Sequence, residues 1–349
     1  MKKEKRNSNF ELLRIIAMIM IVSLHTLGHG GGLTNTTVNS MNFVFNHILE
    51  SLSIVAVNVF ILISGYFGIR SYSCIKNKII ILYKQMIFYS ISIGLLFIIF
   101  NKSLSIANIV QMLFPISTQL WWFMSLNIIL LILSPYINKI IFNLTGEEFK
   151  KLLKILVLIF VVWPSILGIF EPIDISGGYS LYQFIFMYIV GAYIRINYEN
   201  KRFSCRNSFL IYLSVSLVLA TMNIVFSNFL GYNFGIYAYN FILIFISSIS
   251  LFLCFKDLRL KYNQTINNIA KLTLGVYLIH DHPLVRNWIY KFLHLSNSFN
   301  ATYYILSVIT IIIAIFIGCS SIEFIRKKIF FYFEETVRKI IEMFNVSSS

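Results

Sequence analysis

Arg14 and His25 lie inside the first long apolar run of the chain, Phe10 to His29 (FELLRIIAMIMIVSLHTLGH), with ten residues between them. At ~100° per residue this spacing comes to about 1,100°, three turns plus roughly 20°. A helix therefore carries both side chains on one face, about 16 Å apart along its axis. An ionisable side chain within a membrane span is expensive and marks function by default. A guanidinium is permanently charged and grips phosphate through a planar fork. An imidazole, which titrates near ~6.5 when unperturbed, serves as a general base. A plainer reading stays open for each: Arg14 snorkels to the cytoplasmic headgroups, and His25 is a hydrated interfacial residue.

His29 follows His25 by four positions and is its neighbour on a helix. His280-Asp281-His282 follows a late apolar run. These groups could gather around a metal. Zinc sites, however, offer well-spaced ligands backed by outer carboxylates, and this spacing is not diagnostic, so no metal and no cofactor is expected. His25 needs no metal to take a proton, and Asp281 or Glu171 could orient its ring. No Gly-x-Ser-x-Gly elbow occurs and no cysteine lies near the histidines, which argues against a serine or cysteine nucleophile.

The elements that must hold these groups are membrane helices. The chain of 349 residues is 58% hydrophobic and 12% charged, about half the charged share of a soluble domain, ~25%. Its mean hydropathy of +0.77 agrees. A span takes about 20 apolar residues, and the pattern gives an all-α polytopic bundle of about ten spans, near 10–28, 48–68, 79–100, 119–138, 152–170, 179–197, 207–228, 235–255, 268–284 and 302–324. The net charge of +15 falls in small Lys/Arg clusters between apolar runs. That is the positive-inside pattern, not a nucleic-acid surface. Lys2, Lys3, Lys5 and Arg6 put the start in the cytoplasm, and an even number of spans returns the C-terminus there. External segments then hold only Lys102, Arg286 and Lys291 among the basic residues. The first run reads as an uncleaved signal-anchor. One transmembrane domain, 1–326, precedes a cytoplasmic tail, 327–349. The expected location is the cell membrane, multi-pass, and a bacterial cytoplasmic membrane fits.

All six histidines, with Glu50, Glu171, Asp174 and Asp281, fall toward the outer half. An anionic ligand is thus expected from the basic cytoplasmic side and proton chemistry toward the outside. The Gly- and Thr-rich segment after the first span lacks the Lys and following helix of a phosphate loop and reads as a flexible external loop. Ile106 to Phe114 reads as an interfacial piece, and Trp121 with Trp122 as an outer aromatic belt. Cys74, Cys205, Cys254 and Cys319 fall at cytoplasmic ends, where no disulfide is expected.

The ordered motifs resemble the membrane-bound acyltransferase-3 family over nearly the whole length. Arg14 and His25 match its Arg, ten residues, His marker, and Phe10-Glu11-Leu12-Leu13 is similar to its acidic opening. Val57 to Tyr66 resembles its Phe-x-x-Ser-Gly-Tyr element, with Ile61 where a second Phe is common. Leu120-Trp121-Trp122-Phe123 leading to Ser134-Pro135, and Leu274 to His280, resemble two further markers. The resemblance implies an O-acetyltransferase that moves an acetyl (acyl) group from acetyl-CoA to a hydroxyl of a cell-surface polysaccharide or glycolipid, within the bundle alone. It implies Arg14 and His25 as catalytic residues, and Arg14, Ser64, Gly65 and Tyr66 on the donor side. His280, Asp281, Glu171 and Trp121 are expected on the acceptor side. The expected partners are acetyl-CoA, a surface or lipid-linked glycan and membrane lipids, with no nucleic acid. The competing reading is a proton-coupled transporter or exporter using His25, Glu50 and Asp281 as relay groups, although the inverted repeats common in transporters are not seen.

Overall fold

A computed structural model describes residues 7–71, 75–100, 104–167, 176–198, 204–230 and 236–346, and no strand occurs among them. In order, the helices are α1 (Ser8–Gly28), α2 (Gly32–Asn35), α3 (Met41–Ser53), α4 (Ala56–Gly68), α5 (Ile75–Ile99), α6 (Ile106–Leu113), α7 (Trp122–Asn143) and α8 (Gly146–Val157). Then come α9 (Leu181–Asn197), α10 (Cys205–Leu230), α11 (Ile242–Asp257), α12 (Gln264–Ala270), α13 (Thr273–His280), α14 (Pro283–Phe292) and α15 (Tyr304–Val346). A π-helical stretch, Leu158–Leu167, continues α8.

Six helical segments among the described residues are long and apolar enough to cross a membrane: α1, α3 with α4, α5, α7, α10 and α15. The outer surface of the bundle exposes Ile81, Ile99, Leu217, Phe229, Ile313 and Ile317. So much apolar surface is untenable in water and is what lipid requires, because helices satisfy their own backbone. Breaks in the helices are repaired locally. Pro135 cannot donate to the carbonyl of Leu131, and the Ser134 hydroxyl donates to it instead at 2.9 Å. Side-chain caps start other helices: Ser40 accepts from the Phe43 amide, Ser180 from the Gln183 amide, and Thr145 with Glu148 forms a capping box.

The first helix is the axis of the bundle. It packs against α3, α4, α11, α12, α13 and α15, and Leu13, Ala17, Val22 and Leu27 on it are fully buried. Around it, α3 and α4 form one span interrupted by a turn at Ile54 and Val55. The apolar run expected as a ninth span is broken into α12, α13 and α14. Gly275 and Pro283 mark the disruption: the first brings α13 against α15, where a Cβ would meet the Glu323 side chain at 2.5 Å, and the second opens α14.

Two sequence expectations change. The segment after α1 is not an unstructured loop. It forms α2, whose Gly32 carbonyl accepts from Asn46 Nδ2 at 2.9 Å while Asn46 Oδ1 accepts from the Tyr304 hydroxyl at 3.0 Å. Trp121 is not a belt residue either: it is 0% exposed, with its ring 5.5 Å from that of His282. At the other end of the chain, α15 runs through residues 326 and 327 without a break.

Candidate active site

A cavity of about 560 Å³ runs along α1, lined by both Arg14 and His25. One helix face therefore supplies both ends of one space, as their spacing requires. Between them the wall is apolar, with Met18, Ile21, Ile63 and Phe60. Arg14 is ion-paired to the buried Glu11, one turn back on α1, and stands 5.9 Å over the Phe67 ring. That pairing fixes a guanidinium at the cavity wall where a lone charge in apolar surroundings would be costly.

At the other end, α13 presents its C-terminus to α1. The His280 Nδ1 lies 2.6 Å from the Val276 carbonyl. A carbonyl only accepts, so Nδ1 carries the proton and Nε2 of the neutral ring is a bare acceptor. That Nε2 is 2.9 Å from His25 Nδ1, which must then donate to it. Neutral His25 is left with its own Nε2 unprotonated, on the opposite edge of a ring that lines the cavity. Asp281 Oδ1 lies 3.5 Å from His25 Nδ1 and accepts from Arg286 at 3.3 Å. Arg286 also reaches His29 Nε2 at 3.3 Å.

Among the described residues, His25, His29 and Asp281 each offer one atom within 4.8 Å of the others and could hold a cation. Arg286 already places a guanidinium on two of the three. A divalent ion there would face a fixed positive charge at close range, so the arrangement suits proton handling better than metal binding.

A family model described as an acyltransferase domain matches residues 7–319 of the chain. The chain belongs to the acyltransferase-3 family. No curated protein and no solved structure matched it significantly. The helices of membrane length and the family together make it a membrane acyltransferase.

In this acyltransferase the residues singled out from the sequence separate into three groups. Arg14, His25, Ser64 and Asp281 line the cavity. Gly65, Tyr66, His280 and Trp121 do not. His280 is 0% exposed and stands behind His25. Gly65 is a packing position, since a Cβ there would overlap the backbone carbonyl of Tyr188 on α9. The Tyr66 hydroxyl accepts from Arg195 Nη1 at 3.0 Å. Glu171 lies outside the described residues.

Other lining residues were not signalled as a site. Trp122 takes the place expected for Trp121. The helix begins at Trp122, and Trp121 precedes it in extended conformation, so nothing in the sequence tells which of the adjacent rings turns inward. Arg286 reads as an ordinary external charge until the breaks around α13 fold it back to Asp281. Tyr277 falls within a recognised motif. Its side chain is buried beside Asp281.

Proposed function

We infer that this acyltransferase moves an acetyl group from cytoplasmic acetyl-CoA to a hydroxyl of a cell-surface polysaccharide or lipid-linked glycan, with His25 as the general base. The observation that carries the reading is the hydrogen-bond chain from the Val276 carbonyl through His280 to His25. It fixes one tautomer and leaves Nε2 free to accept a proton in a cavity that Arg14 also lines. The acceptor hydroxyl gives its proton to Nε2, and its oxygen attacks the thioester carbonyl. The C–S bond then breaks and the thiolate of coenzyme A leaves. The imidazolium formed keeps its Nδ1–H toward His280 and Asp281, whose carboxylate offsets the new charge.

Arg14 has the chemistry to hold a donor phosphate, and the basic cytoplasmic segments favour arrival of a polyanion from that side. The Tyr277 hydroxyl, on a buried side chain that lines the cavity beside Asp281, is a donor suited to the oxyanion that develops on the carbonyl. Four further helical stretches, α8 with its π-helical continuation, α9, α11, and α12 to α14, serve in this reading as shorter or broken crossings. Ten spans then place both termini in the cytoplasm. Family membership displaces the transporter reading of the same relay groups. The test is purified protein with radiolabelled acetyl-CoA, scored for label in envelope glycans. Thioester consumption with label recovered only as free acetate, whatever glycan is added, argues against the acceptor class.

A further inference from the structure

The cavity holds a second set of groups that the acyl-transfer step does not use. Trp122, Tyr179 and Tyr239 line one part of it. Their ring centroids are 4.8 Å apart for Trp122 and Tyr179, 4.7 Å for Tyr179 and Tyr239, and 6.1 Å for Trp122 and Tyr239. Glu50, one turn before the break between α3 and α4, lines the same cavity. It is 9% exposed, and its Oε2 has no hydrogen-bond partner among the described residues. A buried carboxyl oxygen without a partner is costly and calls for an explanation.

The aromatic wall is held in place from behind. The Tyr239 amide donates to the Gly177 carbonyl at 2.9 Å, and the Tyr239 carbonyl accepts from Asn58 Nδ2 at 2.8 Å. Gly178 has φ +86°, and a Cβ on it would lie 2.7 Å from that of Tyr239. Only glycine takes that backbone conformation without strain at so close an approach. Two loops from distant parts of the chain are thus pinned together to present Tyr179 and Tyr239 beside Trp122 at the start of α7, which is the construction of a preformed ligand site.

Resting on the acetyl-transfer reading above, we propose that Trp122, Tyr179, Tyr239 and Glu50 form the subsite for one pyranose ring of the acceptor glycan. The C–H edges of a sugar ring are weakly positive and pack on the negative faces of aromatic rings. Its hydroxyls supply the donors that the Glu50 carboxyl lacks. The ring is then held in the cavity that also contains His25, and a neighbouring hydroxyl is turned toward Nε2. A subsite of this kind binds the acceptor in the ground state and the transition state alike, so its loss appears in the acceptor KM.

The experiment uses the full chain in lipid nanodiscs with radiolabelled acetyl-CoA. The acceptor is envelope glycan from the producing cells, freed of esters by mild base and divided into an organic-soluble lipid-linked fraction and an insoluble polymer fraction. Glu50→Gln and Tyr179→Ala are each expected to raise the half-saturating glycan concentration about tenfold. Acetyl-CoA binding by calorimetry should stay within about twofold. Tyr179 is 51% exposed, so its replacement keeps the test valid if Glu50→Gln fails to fold. The fraction that takes the label, and shows the raised KM, identifies the source of the sugar. Variants that saturate with glycan as the wild type does overturn the subsite. So do variants that lose acetyl-CoA binding in parallel, because that places the groups on the donor side. A wild-type protein that labels neither fraction sinks acetyl transfer to glycan itself, and the subsite falls with it.

Discussion

His25 and Arg14 lie on one cavity but in different chemical settings, and their substitutions should separate accordingly. His25→Gln keeps a polar side chain of similar size and loses the ability to take a proton. We expect kcat to fall by ~100-fold or more, the usual worth of a general base, with acetyl-CoA binding near wild type by calorimetry. Arg14→Lys keeps the charge and loses the planar fork, which also breaks the geometry of the Glu11 pair. Its expected effect is a higher KM for acetyl-CoA at nearly constant kcat. A folded His25→Gln protein with normal turnover would end the general-base mechanism. His280→Phe tests the relay: it removes the acceptor from His25 Nδ1 while filling the same buried space, and should lower kcat without altering donor KM. The Arg14–His25 relation was legible because it depends only on helical period within one element. The His25–His280 contact was not, because it joins residues 255 positions apart and no local pattern encodes which of the four histidines beyond His29 turns toward α1.

Between helices, the close approaches depend on missing side chains. Gly65 on α4 faces the Tyr188 backbone on α9, and Gly191 on α9 faces Leu62 and Gly65 in return. In lipid no hydrophobic force drives helices together, so small residues that let backbones touch carry the association. Gly65→Ala should force α4 from α9 and cost about 1–3 kcal/mol, read as a lower thermal midpoint in detergent. Activity should fall as well, because the neighbouring Ser64 lines the cavity. The sequence showed a glycine in an apolar run, and close packing followed from that much. It could not show the corresponding device at Gly275. There the partner is Glu323 on α15, fully buried and joined to Tyr89 and Gln85 of α5 and to Arg326 of its own helix. Read along the chain, that acid is one more charge near the inner end of a span. Glu323→Ala leaves Arg326 half-buried without its carboxylate and unties α5 from α15. A loss of about 3 kcal/mol is expected, and hydrogen exchange should rise first in the facing parts of α5 and α13.

At the scale of the whole molecule, the reaction proposed requires a sided membrane protein, with donor and acceptor arriving from opposite faces. Length and composition alone mark six helical segments among the described residues as able to cross. Sidedness has to come from the distribution of charge. Lys76, Lys78 and Lys84, then Lys150, Lys151 and Lys154, then Lys201, Arg202 and Arg206, then Lys256, Arg259 and Lys261 fall on alternate connections of a ten-span chain, whereas the intervening ones are nearly free of basic residues. Lys and Arg near span ends are retained in the cytoplasm; these clusters share one side if all four additional stretches also cross, and do not if none of them does. Two of them, α9 and α11, are 17 and 16 residues long, about 24 to 26 Å at 1.5 Å per residue. That is a little short of a ~30 Å hydrocarbon core and within what local thinning accommodates. The cysteines Cys74, Cys205, Cys254 and Cys319 would first be replaced by serine. A single cysteine at Asn108, partly exposed on α6, should then react with a membrane-impermeant maleimide added to intact cells. One at Ser349 should react only after permeabilisation. If residue 108 is protected in intact cells, or residue 349 is labelled in them, the ten-span topology is wrong. If both occur together the whole bundle is inverted, Arg14 faces the acceptor side, and the direction of acetyl transfer argued from it is reversed.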